Sequence, residues 1–360
     1  MKISINSSFI TGPFGGGMVI AALLKRYFVK KGVEVVNHLN DEDIDVILHL
    51  NPFTFLRSES ASYSFFSAYL YKIKHPETVI IHQINECDER KNTNYMNKLL
   101  IKTSKYSDYT VFIASWLKPL LEKQGFPEDQ PSSIILNGTD EIIFNTIGKK
   151  YWDGQEKMKI VTHHWGGSYL KGHDIYQKID KLLGNKEFAN KYQFTFIGNY
   201  PKDLEYKNTN LIKPISGEEL ANELKKHHIY ITASRNEPAG LHHIEGILCG
   251  MPVLYVNSGA LPEYCEGFGI EFNESNFEEK LEQIYKQYNF FVEKLKQYKN
   301  TGEKMSSEYY DLIVDLYEKR IDFSFKLGFF NKILRFVGVA IYGFLFSSFV
   351  FTKKVFRIIK

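Results

Sequence analysis

Two carboxylates eight positions apart, Glu237 and Glu245, bracket the stretch Glu237-Pro-Ala-Gly-Leu-His-His-Ile-Glu245, which runs directly into Gly-Ile-Leu-Cys-Gly-Met-Pro-Val. A glycine between such acids lets the backbone approach a ligand and offer N–H donors. Acids for hydroxyls and amides for phosphate together suit a sugar nucleotide. The flanking residues say how this chemistry is held. His228-Ile-Tyr-Ile-Thr232 is an apolar run that reads as a short buried strand. Gly250 closes the helix that follows, and Pro252 opens the next run, Val253 to Val256. Glu237 therefore falls in a loop at a strand's C-terminal end, and Glu245 in the first turns of a helix. Ligands of open α/β sheets bind outside those strand ends. The amides near Gly240 and Leu241 are placed there to meet an anion.

This stretch resembles the E-x7-E signature of the retaining family 4 glycosyltransferases, whose wording runs roughly E-x-x-G-L-x-x-x-E-A-x-x-x-G-x-P-V. Both acids, the Gly240-Leu241 pair and the Gly-x-Pro-Val around Pro252 match it. The resemblance implies the GT-B fold, two Rossmann-like doubly wound α/β domains facing a cleft. It also implies a nucleotide-sugar donor and retention of anomeric configuration, with Glu237 orienting the donor sugar and Glu245 holding the ribose. Retaining hydrolysis instead uses two carboxylates about 5 Å apart flanking the bond.

Further segments extend the resemblance over about residues 1–320. Gly12-Pro-Phe-Gly-Gly-Gly17 follows the first strand and opens the first helix, and its spacing is not the G-x-G-x-x-G dinucleotide fingerprint. In the resembled family this loop, here Gly15 and Gly16, lies over the donor phosphates. His163-His-Trp-Gly-Gly-Ser-Tyr-Leu-Lys-Gly172 follows the first strand of the second half. Relatives hold the pyrophosphate there with an arginine and, about five residues later, a lysine. Lys171 fits the lysine, but Gly166 occupies the arginine's place, so Lys171 acts with amides and Ser168 or another base contributes. His82 ends the strand Val79-Ile-Ile-His-Gln, where the family places a histidine near the donor sugar and acceptor hydroxyl. Asn137-Gly-Thr-Asp140 and Ser258-Gly-Ala-Leu-Pro-Glu263 resemble two further family turns. No D-x-D element is placed as a metal-bound nucleotide site, since Asp41-Glu-Asp43-Ile-Asp45 lies in a polar loop before a strand. Neither metal nor cofactor is expected. The leaving diphosphate would be stabilised by Lys171, helix N-termini and loop amides.

Behind these residues the chain alternates short apolar runs with helical stretches. Runs at 2–9, 33–36, 45–50, 78–81, 109–113 and 133–136 form one set. The pattern restarts after a polar boundary near residue 148, with runs at 159–163, 193–198 and around Leu211. Ser216 and Glu219 suggest a capping box. The expected organisation is an acceptor-side domain over 1–148, a nucleotide-sugar domain over 149–322 whose last helix crosses back, and a tail over 323–360.

At 360 residues, 44% hydrophobic and 24% charged, the composition is that of a soluble globular protein with room for two cores. The net charge is +3, yet no acid follows Asp322, while seven bases do. The rest of the chain holds 38 bases against 42 acids, so the basic balance describes the tail and gives no argument for nucleic acid. Three cysteines without ligand spacing fit a reduced cytoplasmic compartment.

In the tail, residues 336–351 carry no charge, with Lys332 and Arg335 before them and Lys353, Lys354 and Arg357 after. A run shorter than the roughly 20 residues of a span, with bases at both ends, suits an interfacial helix on an anionic membrane. The reading is a glycosyltransferase on the inner face of the cell membrane, using a UDP- or GDP-sugar. Its acceptor would be a lipid-linked glycan of bacterial surface polysaccharide synthesis. A sugar-nucleotide epimerase of the same fold and a non-catalytic nucleotide-sugar-binding scaffold remain alternatives.

Overall fold

The computed structural model describes residues 1–8, 16–55, 60–320 and 337. Two six-stranded sheets, each wholly parallel, divide the chain. The first contains β1 (Lys2–Ile5), β2 (Glu34–Val36), β3 (Val46–His49), β4 (Val79–Ile84), β5 (Tyr109–Phe112) and β6 (Ser132–Ile134), in the order β2-β1-β3-β4-β5-β6. The second contains β7 (Met158–His164), β8 (Tyr192–Gly198), β9 (Asn210–Ile212), β10 (Ile229–Thr232), β11 (Val253–Val256) and β12 (Gly269–Phe272). Its order is β12-β11-β10-β7-β8-β9. Counted from β7, this is the 3-2-1-4-5-6 arrangement of dinucleotide-binding folds, with the reversal between β7 and β10. A crevice opens at such a reversal because the connections leave the sheet toward opposite faces. The loops after β7 and β10 carry Lys171 and Glu237, so topology alone brings these two residues to one crevice.

The strands are apolar along most of their length because helices cover both faces of a parallel sheet. β3, β4 and β10 are buried at every position. One hydrophobic cluster joins the two halves, running from Ile3, Leu24 and Val79 through Leu241 and Ile244 to Val253. The helix Gly302–Glu318 returns to the first half and packs on the helix Gly16–Lys30. There Gln83 Nε2 donates to Tyr309 Oη at 2.6 Å.

Two local readings need correction. The first strand stops at Ile5, short of residue 9. Ser216 stands at the N-cap of the helix Gly217–Leu224 but makes no side-chain capping bond, since Gly217 at φ +59° turns the first residue out of helical geometry. The tail over 323–360 lies outside the described residues apart from Val337, and so does Gly15. Among the described residues no helix is long and apolar enough to cross a membrane.

The helix His242–Leu248, which carries Glu245, lies close against β10. Gly246 permits this, because a Cβ there would stand 2.5 Å from the Tyr230 ring. Gly246→Ala should therefore destabilise the fold by about 1–3 kcal/mol through overpacking. An unchanged urea midpoint would refute that account of the packing.

Candidate functional site

The loop 235–241 leaves β10 and turns at Asn236, whose φ of 49° is a left-handed conformation that asparagine tolerates better than other side-chain-bearing residues. Its backbone carbonyls are held largely from the first half of the chain. Arg90 Nη1 donates to Arg235 O at 2.8 Å, Trp116 Nε1 to Pro238 O at 3.3 Å, and Asn137 Nδ2 to Ala239 O at 2.9 Å. The Ala260 amide donates to Glu237 O at 2.9 Å. The Arg235 and Asn236 amides are themselves engaged, donating to Leu170 O at 2.7 Å and Ser258 Oγ at 2.9 Å. The amides of Gly240 and Leu241 have no acceptor among the described residues. Gly240 can hold no side chain, as a Cβ would lie 2.7 Å from His242 Nδ1 and 3.0 Å from the Glu237 carboxyl carbon.

Glu237 is buried. Its Oε2 accepts from Ser234 Oγ at 2.7 Å, pairs with Lys171 Nζ at 3.2 Å, and pairs with Arg90 Nη2 at 3.0 Å. Oε1 makes no hydrogen bond among the described residues. Burial alone would raise the pKa of this carboxyl, but Lys171 and Arg90 together hold it well below the usual carboxylate range. Burial also lowers the Lys171 ammonium, with Glu237 opposing and Arg90 reinforcing the shift. Lys171 ends a short turn, Tyr169–Lys171, whose start is capped by Ser168 Oγ accepting from Leu170 N at 3.3 Å. That bond leaves the Ser168 hydroxyl proton for another acceptor. Gly172 follows at φ +89°, and a Cβ there would strike Ala233 at 2.4 Å.

Glu245 has a different environment. His163 Nε2 lies 2.7 Å from its Oε2, and Thr139 Oγ1 donates to Oε1 at 3.4 Å. His163 in turn meets Tyr230 Oη through Nδ1 at 3.1 Å. From the first half of the chain, the start of the first helix comes against the loop 235–241. Gly16 begins the first helix, and a Cβ on it would meet Leu241 Cγ at 3.4 Å.

The structure thus brings Glu237, Lys171, Gly240, Leu241 and Glu245 to the crevice and sets Gly16 against Leu241. His82 is not joined to them by any hydrogen bond among the described residues. It is buried in β4, where Nδ1 faces Ser104 Oγ at 3.0 Å and Nε2 has no partner. Burial pushes its pKa down to about 3, so the imidazole is neutral. Sequence reading assigned no role to Arg90 or His163. Arg90 comes from the other half of the chain, and no local spacing announces it. Among the described residues no group of three or more His, Cys, Asp or Glu side chains is placed to hold a metal ion.

Residues 171–305 match the family described as glycosyl transferases group 1. That segment begins at Lys171 and contains both Glu237 and Glu245. No curated protein matches the chain. Among solved structures, a glycosyltransferase from Rickettsia africae is 14% identical, covering 89% of this chain and 98% of that one at a TM-score of 0.59. Anabaena HepE in complex with UDP-glucose is 10% identical with the same coverages and a TM-score of 0.58. Sucrose-phosphate synthase from Thermosynechococcus elongatus is 13% identical over 84% of this chain and 79% of that chain, with a TM-score of 0.54. Likeness at these identities establishes the GT-B arrangement of two parallel sheets.

The Glu237 cluster carries a pH signature. A depressed folded-state pKa gives stability that is fully present above the ordinary value of 4.5 and is lost as pH falls through the lower folded value. Glu237→Gln should cost about 3 kcal/mol at pH 7, because it leaves two buried cations without their anion. In denaturant titrations, the gap from wild type should close in strongly acid solution. A gap equally wide at pH 7 and about pH 2 would contradict the assignment.

Proposed function

We propose that this chain transfers a sugar from a nucleotide-sugar donor, UDP- or GDP-linked, to an acceptor hydroxyl with retention of anomeric configuration. The group 1 glycosyltransferase match and the GT-B fold support a transferase. HepE is described with UDP-glucose, and a pneumococcal O-GlcNAc transferase of like fold with UDP and GlcNAc, which favours a nucleotide-sugar donor here.

The observation that carries the reading is the asymmetry of Glu237. Its cationic and hydroxyl partners all sit on Oε2. Oε1 is left to accept from a sugar hydroxyl, so the acid orients the donor sugar while the cations and the Gly240 and Leu241 amides face its diphosphate. Glu245 accepts from the ribose, its carboxylate steadied by His163. Developing charge on the leaving diphosphate is then met by fixed donors, which is electrostatic stabilisation in a site they need not reorganise to build. His82 takes no part in this reading, because its side chain is fully buried in β4 and its Nε2 faces no open space. The transfer proposed is front-face and metal-independent, with these cations and amides supplying the positive charge that meets the leaving diphosphate.

The acceptor is proposed to be a lipid-linked glycan of surface polysaccharide synthesis. The sequence of the basic, apolar tail supports it by suggesting attachment to the inner face of an anionic membrane.

Calorimetry with UDP, GDP and their sugar conjugates tests the donor. Glu245→Ala should weaken the bound nucleotide roughly 10- to 100-fold, the value of hydrogen bonds to a charged group. Unchanged affinity would remove the ribose assignment. Transfer measured in excess chelator should persist, and its abolition would overturn metal independence. A chain ending at Asp322 should partition less onto anionic vesicles than the full chain, and equal partition would detach the membrane from the tail.

A further inference from the structure

Relatives' phosphate arginine has no counterpart after β7, where Gly166 stands, yet the cleft holds a second cation. The described arginines can be taken in turn. Arg26 forms a two-pronged pair with Asp140, Arg235 forms one with Asp174, and Arg320 lies by Glu77. Arg90 alone among them reaches Glu237, and it does so from the first half of the chain.

Its segment is built to hold it there. Asp88 accepts from the amides of Tyr95, Met96 and Asn97 and from Thr93 Oγ1, which fixes the turn containing Arg90. Across the cleft, Arg90 Nη1 donates to Leu170 O at 3.2 Å and Arg235 O at 2.8 Å, pinning one edge of the guanidinium. These two carbonyls flank the loops that carry Lys171 and Glu237.

Charge and donors are in surplus at this point. Arg90 Nη2 and Lys171 Nζ lie 3.0 and 3.2 Å from the same Glu237 oxygen, so two cations share one anion. The neighbouring Glu86 is engaged by Lys91 at 2.6 Å. Arginine has five N–H donors and lysine three. The bonds described for Arg90 and Lys171 use only some of them, although both side chains are largely withdrawn from water. None of the remaining donors is a fully buried atom without a partner, so they keep enough access for an incoming anion to take them. A diphosphate supplies the missing charge and several acceptor oxygens, and arginine suits it by its fork geometry.

We propose that Arg90 is the second cation for the donor's diphosphate, so that the clamp is shared between the two domains, with Arg90 from the first and Lys171 from the second. The proposal rests on the nucleotide-sugar reading above. Without donor, the Glu237 carboxylate occupies the two cations. With donor, the diphosphate shares them, and when it leaves Glu237 takes both cations again.

The test is calorimetry without added metal on the full chain and on Arg90→Gln and Arg90→Lys, with UDP against uridine and GDP against guanosine. Arg90→Gln should lose about tenfold or more in affinity for the diphosphate that the wild type binds, as expected for a charge-assisted bond. Its affinity for the matching nucleoside should be nearly unchanged, whereas a merely structural arginine would lower both alike. Arg90→Lys should recover part of the loss. If Arg90→Gln fails to give a wild-type circular dichroism spectrum, the same comparison is read from Arg90→Lys. A diphosphate-to-nucleoside ratio equal to wild type in a folded variant overturns the assignment to Arg90 and leaves the donor reading standing. A wild-type protein that binds neither diphosphate overturns both.

Discussion

The site depends on how one loop satisfies its backbone. Residues 235–241 cross the cleft as irregular chain, where each carbonyl needs a donor or water. The donors that reach Arg235, Pro238 and Ala239 are Arg90, Trp116 and Asn137, all from the first half. Three hydrogen bonds to carbonyls therefore do what a helix or strand would otherwise do, while the Gly240 and Leu241 amides have no acceptor among the described residues. The same contacts tie the two sheets together beside the apolar cluster that runs from Ile3 to Val253. The geometry of the candidate site and the relation of the two halves are thus linked through one segment.

Two acids of the same motif acquire different characters from their neighbours. Glu237 is buried with two cations, which keep it ionised despite burial. Glu245 rests on a histidine and a threonine, with no lysine or arginine paired to it among the described residues. The first acid is therefore a fixed charge in a positive setting, and the second is a hydrogen-bonding group held by a chain of side chains ending at Tyr230. Helix seating preserves the distinction: Gly246 allows the helix to lie on Tyr230, and this brings Glu245 to His163.

Much of the frame was legible before any coordinates. Strands read from apolar runs at 228–232, 253–256 and 109–113 fall within about a residue of the observed elements, because a strand covered on both faces must be apolar nearly throughout. Gly250 was legible as a helix end for a similar reason, since its φ of 82° suits glycine. The capping reading at Ser216 failed because a side-chain cap depends on the exact turn that precedes the helix, and Gly217 alters it. Ser168 shows a related limit. A serine near a phosphate loop is chemically suitable, yet only geometry shows its oxygen already accepting from Leu170.

By itself, the sequence determined the alternation of strand and helix, the placement of Glu237 and Glu245 on either side of a helix start, and the absence of an arginine at Gly166. These are local properties, set by periodicity and by a few residues of spacing. Tertiary structure decided which charges meet. The strand order placed the loops after β7 and β10 side by side, and domain packing carried Arg90 to a carboxylate far away in the chain. Electrostatic partnership depends on distance through space, and the one-dimensional order of residues does not contain that distance.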